Sequence, residues 1–198
     1  VYPREGIEWM KDREPLHTAI VCGSAPGADI EVGCALRHLP GCTVIVVNDA
    51  AAVVRGSHLM TQHPERASTY RGRSLAADIV VHAGKPRERA TREGVDVYWP
   101  DALRNASSGG SALWLALQMG ARQVVLCGLP LDGGSGYHPA IDVHRDEPRI
   151  GLSSPRSDYV RGYQEALKKF AATPLARAAV IRSTRGFTRE LFGAPEWA

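Results

Sequence analysis

The sequence predicts an α/β fold with a mainly parallel sheet, and three observations carry that reading. Apolar, β-rich runs recur as His17-Thr18-Ala19-Ile20-Val21-Cys22, Cys42-Thr43-Val44-Ile45-Val46-Val47 and Arg122-Gln123-Val124-Val125-Leu126-Cys127. They are continuously apolar rather than alternating, as strands covered on both faces should be. Segments with helical spacing separate them, and strands alternating with helices argue for a parallel sheet covered by helices. Each run also ends in polar or glycine residues, at Gly23-Ser24, Asn48-Asp49 and Gly128. Ligands of open parallel sheets bind outside the carboxyl ends of the strands.

Taken in order, residues 1–16 are polar, carry Pro3 and Pro15, and read as an N-terminal arm. A strand over about 17–22 leads through Gly23-Ser24-Ala25-Pro26-Gly27 into a helix over about 29–38, with Ile30, Cys34 and Leu36 expected to face inward. The next strand, about 42–47, ends in Asn48-Asp49-Ala50. Leu59 to Pro64 reads as a short strand entering a helix, with Pro64 in the first turn. Ala77 to His82 is a further strand, and Val95 to Tyr98 an edge strand. Ser107-Ser108-Gly109-Gly110-Ser111 opens an apolar helix over about 109–119, which Gly120 stops before the strand at about 122–127. Residues 129–154 are rich in Gly, Pro, Asp and His and lack periodicity, as an active-site lid does. An amphipathic helix over about 155–171, a strand over about 178–183 and a terminal helical turn over about 188–192 complete a single domain spanning 17–198.

Composition narrows the function classes. The chain has 198 residues, 44% hydrophobic and 23% charged, with a net charge of +3, which does not argue for nucleic acid. Arginines gather at Arg66, Arg71, Arg73, Arg87, Arg89 and Arg92, which reads as a solvated face before it reads as a polyanion patch. Cys22, Cys34, Cys42 and Cys127 form no Cys-x-x-Cys pair and suit a reducing, cytoplasmic compartment. No apolar run is long enough for a membrane span. The oligomeric state is open, a homo-oligomer included.

Two loops have the chemistry of anion sites. A helix start rich in Ser and Gly leaves backbone N–H groups unpaired and admits a ligand closely. Ser107, Ser108, Gly109 and Gly110 fit that description, and so does the loop Gly23 to Gly27. The plainer alternative makes Ser107 or Ser108 an N-cap and the glycines a tight turn. No Gly-Lys-Ser/Thr follows the first loop, so it is not a Walker loop, and no Gly-x-Ser-x-Gly surrounds Ser111, so a hydrolase triad is excluded. His138 and His144, in the lid-like segment after Asp132, could each take a proton from an attacking hydroxyl; the alternative is two surface histidines. His63 either touches a ligand or caps the helix that Pro64 begins. Asp132, His138, Asp142 and His144 follow no recognised zinc spacing, so no metal is expected.

The ordered set Gly-Ser-x-Pro-Gly, Val-Asn and Ser-Ser-Gly-Gly-Ser-Ala-Leu-Trp-Leu-Ala-Leu-Gln-Met-Gly-Ala-Arg-Gln-Val-Val-Leu-Cys-Gly resembles a Rossmann-like superfamily. It holds the bacterial sialyltransferases that use CMP-sialic acid and the MptE-like proteins, with short relatives in phage and prophage genomes. The likeness spans about residues 17–138 and is strongest over 107–132. It implies a Rossmann-like three-layer sandwich. It further implies nucleotide contacts at Gly23, Ser24, Asn48, Ser107, Ser108 and Gly109, and a histidine base after Gly128, met here by His138 or His144. Ala25, Pro26, Gly27, Asp49, His63, Gly110 and Asp132, in the same loops and strand ends, complete the candidate nucleotide-binding set. The family favours Gly-x-Gly-Pro-Ser where this chain has Gly-Ser-Ala-Pro-Gly, so Ala25 stands where a glycine would let a phosphate approach. The paired-Asp motif of the pyrophosphokinase branch is replaced by Thr61-Gln62-His63-Pro64-Glu65, which argues against magnesium-dependent pyrophosphoryl transfer.

The expected activity is a glycosyltransferase-like transfer from a nucleotide sugar to an acceptor the sequence does not specify. The ligand is then the nucleotide-activated donor, with no further cofactor. The alternatives are a nucleotide-binding or sensing module without turnover, and a nucleic-acid-associated protein using the Arg-rich stretch.

Overall fold

The computed structural model describes residues 4–84, 93–100, 107–132, 139–141 and 156–198. Its centre is an eight-stranded sheet in the order β1-β6-β5-β4-β3-β2-β7-β8. The strands are β1 (Arg4–Glu5), β2 (Thr18–Cys22), β3 (Thr43–Val47), β4 (His58–Thr61), β5 (Val80–Gly84), β6 (Val97–Trp99), β7 (Gln123–Cys127) and β8 (Val180–Ser183). Every neighbouring pair is parallel. The chain moves outward from β2 through β3, β4 and β5 to β6, then returns to β7 on the other flank of β2. The strand order therefore reverses between β2 and β7, where Ile20 sits between Val44 and Val125.

Helices cover both faces, giving the α/β Rossmann-like sandwich. One face carries α1 (Gly6–Met10), α4 (Ser108–Gln118), α5 (Arg156–Ala171), α6 (Pro174–Arg177) and α7 (Gly186–Phe192), packed around Trp9, Leu113, Leu115, Phe170 and Ile181. The other carries α2 (Ala28–His38), a 3₁₀ turn at Asn48–Ala52 and α3 (Ala67–Arg73), packed around Val32, Ala35, Val54 and Tyr70. Helix α4 is buried from Ser108 to Leu117, which explains why its sequence is apolar all round.

Four expectations need correction. Residues 4–10 are not part of an arm: Arg4 and Glu5 pair with Val97 and Tyr98, and α1 delivers Trp9 into the core. Gly6 permits this docking, since a Cβ there would overlap the Trp99 indole. Consequently β6 is no edge strand, because β1 covers its outer side. In α2 the buried residues are Ala28, Val32 and Ala35, while Ile30 is 74% exposed and Leu36 40%. Small side chains at that i, i+4, i+7 spacing let the helix lie close to the sheet. Finally, α6 was not expected, although Thr173 caps it by accepting from Ala176 N–H at 3.3 Å and Pro174 fills its first turn.

The strand expected at 77–82 lies at Val80–Gly84, and the remaining boundaries fall within a residue or two of expectation. Of the lid-like segment 129–154, residues 133–138 and 142–154 lie outside the described residues. Its beginning is anchored: Thr188 Oγ1 donates to the Leu129 carbonyl at 2.7 Å, and Gln164 Nε2 donates to that of Leu131 at 2.7 Å.

Candidate functional site

The loop after β2 sits at the point where strand order reverses, and it is closed upon itself. Gly23 N–H donates to the Cys127 carbonyl at 2.9 Å and Ala25 N–H to that of Gly128 at 3.2 Å. A Cβ at Gly23 would overlap the Gly128 carbonyl oxygen and the Leu129 side chain. Ala25 is buried, and Ser24 and Pro26 are half-buried. Gly27 takes a left-handed φ of 78° to start α2.

A carboxylate occupies this corner. Glu31 Oε2 accepts from Gly128 N–H at 2.7 Å and from the Thr184 hydroxyl, and Glu31 also pairs with Arg185. A phosphate placed on the same N–H would meet like charge. The glycines here serve close approach of β2 to β7. Glu31 was invisible to sequence reasoning, because an acidic residue in the first turn of a helix is ordinarily a solvated one.

The second corner lies at the ends of β3 and β4. Val47 pairs with Met60, which sets Asn48 beside Thr61. Asn48 adopts a φ of 50°, in the left-handed region that Asn tolerates, and its buried Oδ1 has no hydrogen-bond partner among the described residues. Asp49 turns instead to α3. Arg73 Nη1 lies 3.5 Å from its Oδ1. Burial first, and then the Asp49 charge, push the Tyr70 phenol up to about 12.

Helix α4 begins over this corner. Ser107 is its N-cap, accepting from Gly110 N–H at 3.1 Å, so both Ser107 and the Gly110 N–H are used within the helix start. Ser108 Oγ accepts from Gln62 N–H at 3.2 Å, and Gln62 Nε2 donates to Ser111 Oγ. Gln62 thus ties the end of β4 to the first turn of α4. The sequence marks it only indirectly, through Gly84, where a Cβ would lie 2.9 Å from Gln62 Nε2. At Gly109 a Cβ would fall 2.6 Å from Leu129 Cδ2, so this glycine also serves close packing.

His63 stands at the rim, half exposed, with Nδ1 3.2 Å from Glu65 Oε1. Its side chain makes no cap hydrogen bond to the turn at Pro64–Arg66, which removes the capping reading. Asp132 is exposed beyond β7. His138 and His144 lie outside the described residues. The structure therefore gathers Asn48, Gln62, His63 and Ser108 at one edge of the sheet, and ties Gly23, Ala25, Gly128 and Glu31 into a second, closed cluster.

The fold has a solved counterpart. A crystal structure of the monofunctional alpha-2,3-sialyltransferase Cst-I from Campylobacter jejuni matches 93% of this chain and 84% of its own, with a TM-score of 0.57 and 12% sequence identity. This chain shares the fold of that glycosyltransferase. No family model matches the sequence, and no curated protein does. No helix among the described residues is long and apolar enough to cross a membrane. Among the described residues, no three His, Cys, Asp or Glu side chains gather as a metal-binding group.

Proposed function

We propose that this protein binds a nucleotide-activated sugar and transfers the sugar to an acceptor. The observation that carries the reading is the buried Asn48 Oδ1, without a partner among the described residues, at the carboxyl edge of a sheet shared in fold with a sialyltransferase. A buried polar atom without a partner is costly and calls for a donor. An exocyclic amine of a base or a ribose hydroxyl would supply one. The phosphates would lie toward Ser108 and Gly109 at the start of α4, since Glu31 opposes an anion at Gly128. Catalysis would come from positioning and from stabilising charge on the departing phosphate, with His138 or His144 taking the acceptor proton.

The closed loop at Gly23–Ala25 also favours a second reading, a nucleotide-binding module without turnover. A nucleic-acid surface gains nothing from α3: Arg71 is tied to Asp96 and the Gly94 carbonyl, and Arg73 to Asp49.

A thermal-shift panel of CMP, CDP, UDP, GDP, ADP, ATP and NAD tests the proposal. One nucleotide should raise Tm clearly above the rest. Asn48→Gly tolerates the same φ but removes the amide, and should weaken that nucleotide by about tenfold, the worth of one buried hydrogen bond. A flat panel would overturn nucleotide binding, and unchanged affinity in Asn48→Gly would remove Asn48 from the site. Binding without consumption of the matching nucleotide sugar selects the second reading.

A further inference from the structure

Where the amino end of β4, the middle of β5 and the carboxyl end of β6 meet, three aromatic rings form a hydrogen-bonded line. Trp99 Nε1–H donates to His82 Nδ1 at 3.0 Å, and His82 Nε2 lies 3.0 Å from His58 Nδ1. The indole can only donate, so His82 Nδ1 must be the acceptor. In its neutral form His82 then carries its proton on Nε2 and donates to His58 Nδ1. Both imidazoles are thereby held neutral, each in one tautomer. His82 is completely buried.

The N-terminal segment rests on this line. Trp9 meets both imidazoles edge-on, with ring centroids 5.8 Å from His58 and 5.1 Å from His82. Gly6 lies against the Trp99 indole, and the Arg13 guanidinium sits 4.8 Å over the Trp9 ring. Beyond these contacts, β1 pairs with β6 through two residues at the sheet edge and Met10 packs against the core.

We propose that the Trp99–His82–His58 line is an acid-sensitive fastener, which holds β1 and α1 on the sheet when neutral and releases them when protonated. A proton on His58 Nδ1 would face the His82 Nε2 proton, and a proton on His82 Nδ1 would face the indole N–H. Either event sets donor against donor, beside the half-buried His58 in the first case and within the buried His82–Trp99 contact in the second. Among the described residues no anion acts on either imidazole: Asp96, which accepts from Val81 N–H, is paired with Arg71. From the segment after α1 the charged group facing His58 is Arg13, a cation, and from β5 it is His82. Glu8 on α1 is exposed. Helix α4 and strand β3 have no ionisable side chain, and β6 has only Tyr98. Asp49, Tyr70, Arg71 and Arg73 belong to elements on the opposite face of the sheet.

Burial chiefly, and Arg13 next, hold His58 down at about 4 against an ordinary 6.5. The docked segment therefore favours the neutral ring, and its hold is complete above pH 6.5 and lost progressively toward pH 4. That difference in proton affinity corresponds to about ten- to a hundredfold weaker docking at pH 4.5.

Hydrogen exchange on the full chain at pH 7 and pH 4.5, corrected for intrinsic rates, tests this. Residues 4–13 should lose about ten- to a hundredfold in protection while β2 and β3 keep theirs. His58→Gln, which retains an acceptor but does not titrate, should suppress the loss. Arg13→Gln removes the neighbouring cation, narrows the difference in proton affinity between the docked and released segment, and should reduce the loss of protection at pH 4.5, which keeps the test decisive should His58→Gln fail to fold. Unchanged protection of 4–13 at pH 4.5, simultaneous loss across the sheet, or wild-type behaviour in both variants would overturn the fastener.

Discussion

Gly23→Val is expected to cost more than about 3 kcal/mol of stability, the upper range for forcing atoms into a packed interior. The new Cβ would overlap the Gly128 carbonyl oxygen, a backbone atom, and the Leu129 side chain. Neither strand end can yield easily. Gly23 N–H is bonded to Cys127, Ala25 N–H to Gly128, and Gly128 N–H to Glu31. On its other side Gly128 abuts Ala28, where an added Cβ would fall 2.5 Å from the alanine methyl. Set against a typical total of about 5–15 kcal/mol, such a loss leaves a protein near its unfolding threshold. Gly33→Ala is the matched control. It sits within α2 with nothing within 4 Å of its Cβ position, so it should stabilise by about 0.5–1 kcal/mol. Urea unfolding of both variants reads the difference. A Gly23→Val protein as stable as wild type would mean that the corner is open, and would restore it as a place for phosphate.

That corner shows how far the sequence reached. The strands β2, β3 and β7 were legible because each is a continuous apolar run ending in Gly or Asn, and α4 because Ser107 caps it and Gly120 stops it. What a glycine-rich loop is for was not legible. The same residues serve a ligand's approach or a neighbouring strand's, and only the position of Leu129 and Glu31 decides between them. The N-terminal segment was hidden by its charge. Its core residue Trp9 stands in a stretch rich in charge, with Met10 packing beside it, and its partners Trp99, His58 and His82 arrive from distant strands. Gln62 and Asn48 illustrate the other limit. Gln62 is tied to Ser108 and Ser111, while the Asn48 amide oxygen has no partner among the described residues, and no pattern in the sequence distinguishes them.

His82→Leu should destabilise the protein at pH 7.5 by about 2–5 kcal/mol, while making the remaining stability less sensitive to acid. At neutral pH the substitution strips the buried Trp99 N–H of its acceptor and His58 Nδ1 of its donor. Each orphaned group costs about 1–3 kcal/mol, and leucine fills most of the lost volume without relieving either. Acid changes the comparison. Burial first, and the neighbouring His58 second, hold the His82 imidazole well below 6.5, so the folded chain keeps it neutral while the unfolded chain takes up a proton. Wherever the unfolded state binds more protons, stability falls as pH falls. The wild type therefore loses stability on acidification below about 6.5 through both histidines, at up to about 1.4 kcal/mol per pH unit for each. His82→Leu keeps only the His58 contribution, which is exhausted near pH 4. The gap between the two proteins should accordingly narrow from pH 7.5 to pH 5. Urea titrations at pH 7.5, 6 and 5 measure it directly. Parallel pH dependence in wild type and variant would show that His82 binds its proton equally in both states, and that the buried line does not hold it neutral.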